Sequence, residues 1–375
     1  MLDYNEKPIL IFWEATKACM LRCRHCRAEA ILNPLPDELS TDEALGLIDM
    51  ITRFEKPYPV LIITGGDPLM RKDLFEVIGY AADKDIPLGI APAVTELLND
   101  KTMDKLIEYN VKYISISLDG GMPDTHDVIR GVKGNFHMTI EVLKKLVKRE
   151  FKVQVNTLAC KETVNDLPYI VKILKDLDID IWEVFFLIKV GRGIEVGDLT
   201  PKEYEDVNNF LYEVSRYGIE VRTVEAPFYR RIAKWRIEDE YDYNKLDVKY
   251  IMRKYRLGEL YEELVKKLIG LLGYPQNPPK PHIPSTRDGK GIIFVSYNGD
   301  IYPSGFAPYR LGNIRIDDLV EVYRNNPILI RIKKGDFKGK CGKCEFKDLC
   351  GGSRARAYAE YRDILHEDPA CTYIP

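Results

Sequence analysis

The 375-residue sequence has no apolar run approaching a bilayer span, and its first residues lack a basic stretch leading into an apolar core. These absences argue against a membrane protein and predict a soluble, cytoplasmic one. Charge of one sign is scarce too. The 55 lysines and arginines nearly balance the 58 acids, leaving −3, so no global field draws in nucleic acid. No nucleic-acid module is recognisable, and neither a membrane nor nucleic acid is expected as a partner. Cysteine is sparse and unevenly spread. Seven of the eight fall into two groups near the chain ends, which in a reducing cytoplasm favours metal over disulfides, while Cys160 stands alone.

The densest chemistry lies in Cys19-Met20-Leu21-Arg22-Cys23-Arg24-His25-Cys26. Three thiolates on so short a tether can converge on one iron–sulfur cluster, whose fourth iron then lacks a protein ligand. Zinc is the competing reading, but structural zinc wants four closed ligands, and His25 between two thiols has little reach. Cys341, Cys344, Cys350 and Cys371 are a complete set for a closed cluster or for zinc. Spacing alone does not separate those two.

Hydrophobic patterning alternates strand and helix. Strands are predicted at Ile9 to Trp13, Pro59 to Ile63, Pro87 to Ala91, Tyr113 to Leu118, Lys152 to Ala159 and Ile181 to Ile188, with a further one at Ile219 to Val224. Helices intervene, the first capped by Ser40 and Glu43 and a later one by Thr200 before Pro201. The fold class is therefore α/β, a partial (β/α)6 barrel, because unusual residues gather after several different strands. Three units are expected: a barrel core over 1–224, a basic and aromatic helical insertion or linker over 225–288, and a small C-terminal α+β domain over 289–375 that carries the second cysteine group, an iron–sulfur domain by the resemblance given below. The insertion carries Tyr229-Arg230-Arg231-Ile232-Ala233-Lys234-Trp235-Arg236, either a solvated face or a lid whose arginines grip substrate carboxylates. The C-terminal unit opens with a hairpin, Ile292 to Tyr302, read as a type I′ turn at Asn298-Gly299.

The first cysteine group resembles the signature of the radical S-adenosylmethionine (SAM) superfamily, which is known for such a partial barrel. The resemblance implies a [4Fe-4S] cluster held by Cys19, Cys23 and Cys26, whose open iron chelates the amino and carboxylate groups of SAM. Gly65-Gly66-Asp67-Pro68 falls where the family has G-G-E-P. Gly65 and Gly66 would present backbone to the SAM ammonium, and Asp67 replaces the usual glutamate. Ser117 and Arg130 match positions for the SAM ribose and carboxylate, His25 an aromatic position near adenine, and Leu187 a residue packing on adenine. The bland alternatives are a solvated loop or an ion pair with Asp127 for Arg130, and simple core for Leu187.

The second group, with Cys350-Gly351-Gly352-Ser353-Arg354-Ala355-Arg356-Ala357, resembles SPASM/twitch auxiliary-cluster domains. Ser304 and Arg354 stand where a second auxiliary cluster would have cysteines, so one auxiliary [4Fe-4S] cluster is implied, on Cys341, Cys344, Cys350 and Cys371. Trp13 to Thr16 and the turn Pro303-Ser304-Gly305-Phe306 bring the chain nearest to radical SAM enzymes of the siroheme-dependent heme pathway. That resemblance implies 5′-deoxyadenosyl-radical chemistry on a small anionic substrate such as a carboxylated tetrapyrrole, or on a peptide. It also implies an external electron donor such as a ferredoxin or flavodoxin. An iron–sulfur electron carrier and a zinc-stabilised RNA-binding protein are the readings from other classes.

Overall fold

The computed structural model describes residues 3–239 and 246–375. The predicted insertion therefore includes six residues, 240–245, outside the described ones. In chain order the core elements are β1 (Leu10–Glu14), α1 (Thr41–Thr52), β2 (Val60–Thr64), α2 (Leu74–Asp83), β3 (Leu88–Ile90), α3 (Asp100–Glu108), β4 (Tyr113–Ser117), α4 (Pro123–Arg130), α5 (Asn135–Lys148), β5 (Lys152–Ala159), α6 (Leu167–Asp176), β6 (Ile181–Phe186), α7 (Pro201–Val214) and β7 (Glu220–Val224). Then follow α8 (Tyr229–Glu238), α9 (Val248–Tyr255), α10 (Glu259–Leu272), β8 (Arg287–Asp288), β9 (Gly291–Val295), β10 (Asp300–Tyr302), β11 (Gly312–Asn313), α11 (Leu319–Asn325), α12 (Pro327–Lys334), α13 (Gly339–Lys343) and α14 (Arg354–Tyr361).

Strands β1 to β7 are all parallel and adjacent in chain order, as a partial barrel of βα units requires. One face buries Ile11, Trp13, Leu61, Ile63, Ile114, Ile116, Val153, Val155, Trp182 and Val184 against the helices. The capping boxes predicted at Ser40/Glu43 and Thr200/Glu203 both form. Among the described residues no helix is long and apolar enough to cross a membrane.

Three findings differ from the sequence expectations. The C-terminal hairpin does not stand apart, because β9 pairs in parallel with β1 and extends the barrel sheet. Its turn is not type I′: Gly299 takes φ +85 while Asn298 stays out of the left-handed region. Ser296 and Asp300 flank a three-residue connection with glycine last, which needs only one positive φ.

The third difference is the basic stretch, whose arginines form neither a solvated face nor a lid, Lys234 alone of its cations being exposed. Arg230, Arg231 and Arg236 are buried. Arg231 pairs with Glu205, Arg236 with Glu213, and Arg230 donates to the carbonyls of Thr286 and Leu349. Helix α7, which supplies both acids, is buried on every side from Tyr204 to Val214. The arginines thus tie α8 to α7 and to the C-terminal unit.

Candidate active site

The loop Cys19–Cys26 lies over the C-terminal ends of the parallel strands and is pinned by turns from three of them. After β2, the backbone N–H of Gly66 donates to Thr16 O and that of Asp67 to Ala18 O, both at 2.7 Å. A Cβ on Gly65 would fall 2.6 Å from Thr16 O, and one on Gly66 2.4 Å from Ala18 O. The two glycines therefore admit the backbone leading into the cysteine loop, a close approach the sequence suggested only for a ligand. After β4, Arg24 N donates to Ile129 O at 2.9 Å. After β6, Gly191 takes φ +52 and has the carbonyls of Cys26 and Arg27 where its Cβ would be. Arg192 then donates from its backbone to Cys26 O, from Nε to Cys23 O at 2.9 Å and from Nη1 to Ala30 O at 3.0 Å. Its Gly-Arg-Gly context in the sequence was the only sign of this role.

Each thiol of both cysteine groups accepts a hydrogen bond. In the first group the donors are Leu21 N to Cys19, Arg130 Nη1 to Cys23 at 3.5 Å, and Ala30 N to Cys26. In the second they are Asp368 N to Cys341, Phe346 N to Cys344, Gly352 N to Cys350 and Tyr373 N to Cys371. Burial pushes the thiols of Cys19 and Cys350 up to about 12 and Cys371 to about 11. Buried sulfurs held by N–H donors suit metal thiolates, where the metal takes the proton's place.

Arg130 and Asp119 form a buried ion pair at 2.9 Å beside Cys23. Asp127 is not the partner, since it accepts from the backbone of Gly134 and Phe136 instead. Burial pushes His25 down to about 4, so its ring is neutral 3.8 Å from Asp119. His126 is likewise pushed to about 4 by burial and accepts from Asp119 N. Asp67 is fully buried, and its carboxylate accepts from Leu69 N, Ala93 N and Thr95 Oγ1. Shorter than glutamate, it braces the turn after β2 rather than reaching outward. Leu187 is buried with Leu158, Cys160 and Val196.

Ser117 sits at the end of β4 in register with Asn156, Glu183 and Arg222 on β5, β6 and β7. The four side chains form a polar row on the face opposite the helix-packed core. Gln154 bridges Asn156, Glu183 and Arg222 by hydrogen bonds, and burial raises Glu183 to about 7. Phe185 meets Phe306, from the turn after β10, at 6.0 Å. Arg27, the residue after the last loop cysteine, lies over Phe294 at 4.6 Å and pairs with Glu14 at 3.1 Å. No motif marked Arg27, Glu183 or Arg222; only the strand register unites the last two with Ser117.

Cys341, Cys344, Cys350 and Cys371 line one small cavity open to one side, with Arg231, Phe346 and Tyr373 among its walls. Among the described residues no three cysteine, histidine or acidic side chains converge on a point that would hold a lone ion. Arg354 is buried, donating to the carbonyls of Ile364 and Gly352 and to Cys341 Sγ at 3.8 Å. Arg356 joins the two regions: it pairs with Asp368 and donates to Tyr204 Oη at 3.0 Å and Leu187 O at 3.4 Å.

Comparison with known proteins matches residues 13–174 to the Radical SAM superfamily. The chain is 33% identical to an AdoMet-dependent heme synthase of Methanosarcina barkeri (strain Fusaro / DSM 804), over 100% of this chain and 99% of that protein. It is 29% identical to an Fe-coproporphyrin III synthase of the same organism, over 98% and 88%. Among solved structures, Streptococcus suis SuiB bound to S-adenosylmethionine shares the fold with a TM-score of 0.66 at 16% identity, over 98% of this chain and 78% of that one.

Proposed function

Because this chain belongs to the radical SAM superfamily, we propose that it is an enzyme that uses Cys19, Cys23 and Cys26 to hold a [4Fe-4S] cluster bound to SAM and acts on a carboxylated tetrapyrrole. Held by these three thiolates, the cluster would supply one-electron reduction of the SAM sulfonium by an external donor, the chemistry that yields methionine and a 5′-deoxyadenosyl radical able to take a substrate hydrogen. The chain's own residues bind and orient. Arg130, already beside Cys23, offers its guanidinium fork to the SAM carboxylate, with Asp119 fixing its direction. Ser117 faces the ribose, neutral His25 and Leu187 the adenine, and the carbonyls of Gly65 to Asp67 the ammonium. Cys341, Cys344, Cys350 and Cys371 hold one auxiliary [4Fe-4S] cluster, for which four sulfurs around one cavity are a complete ligand set.

The observation that carries the substrate reading is the juxtaposition over one sheet face of half-buried aromatics, Phe12, Phe185 and Phe306, with two guanidiniums, Arg27 and Arg222. Rings suit stacking on a flat macrocycle, and guanidiniums suit its carboxylates. The relatives named as heme and coproporphyrin synthases agree with that chemistry. The test is anaerobic incubation of the reconstituted enzyme with SAM, dithionite and a carboxylated iron porphyrin, followed by mass spectrometry. Release of 5′-deoxyadenosine with a changed porphyrin mass is expected. Release of 5′-deoxyadenosine with the porphyrin unchanged refutes the substrate, and no release refutes the class assignment.

A further inference from the structure

The chain has a small net negative charge, yet residues 331–348 carry seven lysines and arginines against three acids. This segment runs from α12 through α13 into the second cysteine group; Lys333 turns inward to the carbonyls of Asn5 and Tyr323, and others of its cations border the cavity of the four thiols. Lys340 and Lys347 are part of its wall, Lys343 is exposed between Cys341 and Cys344, and Lys334 is exposed next to Gly335, which neighbours Lys347 and Asp348. Lys234 of α8, exposed on the same side, lies 5.7 Å from the ring of Phe346.

The nearby acids are mostly spoken for. Asp336 pairs with Arg331, Asp363 with Lys338, Glu238 with Lys234, Glu345 accepts from Tyr373 Oη, and Glu367 accepts from Lys340 N. Lys334, Lys343 and Lys347 have no acidic partner among the described residues, and of the segment's three acids only Asp336 is paired with a cation. The cavity is not sealed beneath this rim, since Cys344 and Cys371 are partly exposed. Beside them Ile374, 85% exposed, adds an apolar spot. An apolar centre within a ring of one charge is the anatomy of a transient protein interface, and the unpaired lysines select a partner of opposite sign.

We propose that this lysine-rimmed face is the docking surface for a small acidic electron-carrier protein of the flavodoxin type. The inference rests on the radical SAM reading, which requires an external one-electron donor, and goes beyond it by naming where the donor sits. A nucleic acid is the other polyanion such a patch could attract. The partly exposed thiols and the apolar spot favour a protein partner, because phosphate contacts need neither.

The test uses the reconstituted full chain and a purified acidic flavodoxin, with Lys334→Glu/Lys343→Glu and the milder Lys334→Gln/Lys343→Gln as variants. Two readouts are taken: the Kd for oxidised flavodoxin from flavin fluorescence, and 5′-deoxyadenosine formed with reduced flavodoxin or with dithionite. For the unaltered chain, raising salt from about 20 to 200 mM is expected to weaken binding about tenfold or more. The charge reversals should weaken it by about tenfold to a hundredfold at low salt, with the glutamine pair in between. Iron content and the dithionite-driven rate should stay at wild-type levels, because neither lysine contacts a thiol. Salt-independent binding, or reversals that leave Kd unchanged, overturns the proposal. So does an RNA oligonucleotide that binds in a lysine-dependent way while flavodoxin does not bind. Absence of dithionite-driven product would instead sink the radical SAM reading, so the two failures are distinguishable.

Discussion

Replacing Gly66 with alanine tests whether the turn after β2 serves the cysteine loop. The new Cβ would lie 2.4 Å from Ala18 O and 2.7 Å from Lys17 O, whereas ordinary contacts begin near 3.4 Å. Both obstacles are backbone, so no side chain can swing aside. Relief requires the loop to withdraw by roughly 1 Å, which stretches the two 2.7 Å bonds from Gly66 N and Asp67 N past useful length. Losing two such bonds in a close-packed site costs about 2–5 kcal/mol. Gly46→Ala is the control, since nothing lies within 4 Å of a Cβ there and α1 should gain about 0.5–1 kcal/mol. Urea unfolding of the metal-free chain reads both, as opposite shifts of the midpoint at unchanged slope. If Gly66→Ala unfolds within about 0.5 kcal/mol of wild type, the loop is not held as described.

Arg130→Met should cost about 3–5 kcal/mol by leaving Asp119 buried without its cation, and should abolish SAM retention in equilibrium dialysis. Arg130→Lys should recover much of the stability but not the retention, because it lacks the fork. Glu183, raised by burial to about 7 from an ordinary 4.5, keeps a proton in the folded state that the unfolded chain has already lost. Its contribution is therefore complete below pH 4.5 and lost as pH rises to 7, at a cost on the order of 2 kcal/mol for this half-buried group. Glu183→Gln should remove that slope from a plot of urea midpoint against pH. Cys160 is buried with its thiol pushed up to about 12 and lies among Leu158, Leu187 and Val196. Cys160→Ala should leave 5′-deoxyadenosine release unchanged, and the native thiol should resist iodoacetamide at pH 8.

Much of this was legible because it is local. The alternation of strands and helices, the two helix caps and the cysteine spacing each depend on neighbours within a few residues. The parallel order of β1 to β7 follows once right-handed βα units are assumed. What stayed hidden depends on partners far away in sequence. The charges of α8 read as a solvated face because Glu205 and Glu213 lie on α7, whose all-round burial no amphipathic stripe announces. Likewise the pairing of β9 with β1 joins residues nearly three hundred positions apart, and a hairpin pattern says nothing about which strand receives its edge. Arg130 shows both sides. Its motif suggested a carboxylate-binding arginine, but the nearer acid in sequence, Asp127, is occupied by backbone donors, and the ion pair goes to Asp119.

The account depends most on one feature, a cluster held by three cysteines with a corner left for SAM. Electron paramagnetic resonance of the reduced, anaerobically reconstituted chain, recorded before and after SAM is added, examines it directly. The account predicts two cluster signals, of which SAM alters one. That one should be missing from Cys23→Ala, while the signal of the C-terminal centre persists. A spectrum that SAM leaves untouched, or a chain that takes up zinc and no inorganic sulfide, would contradict it.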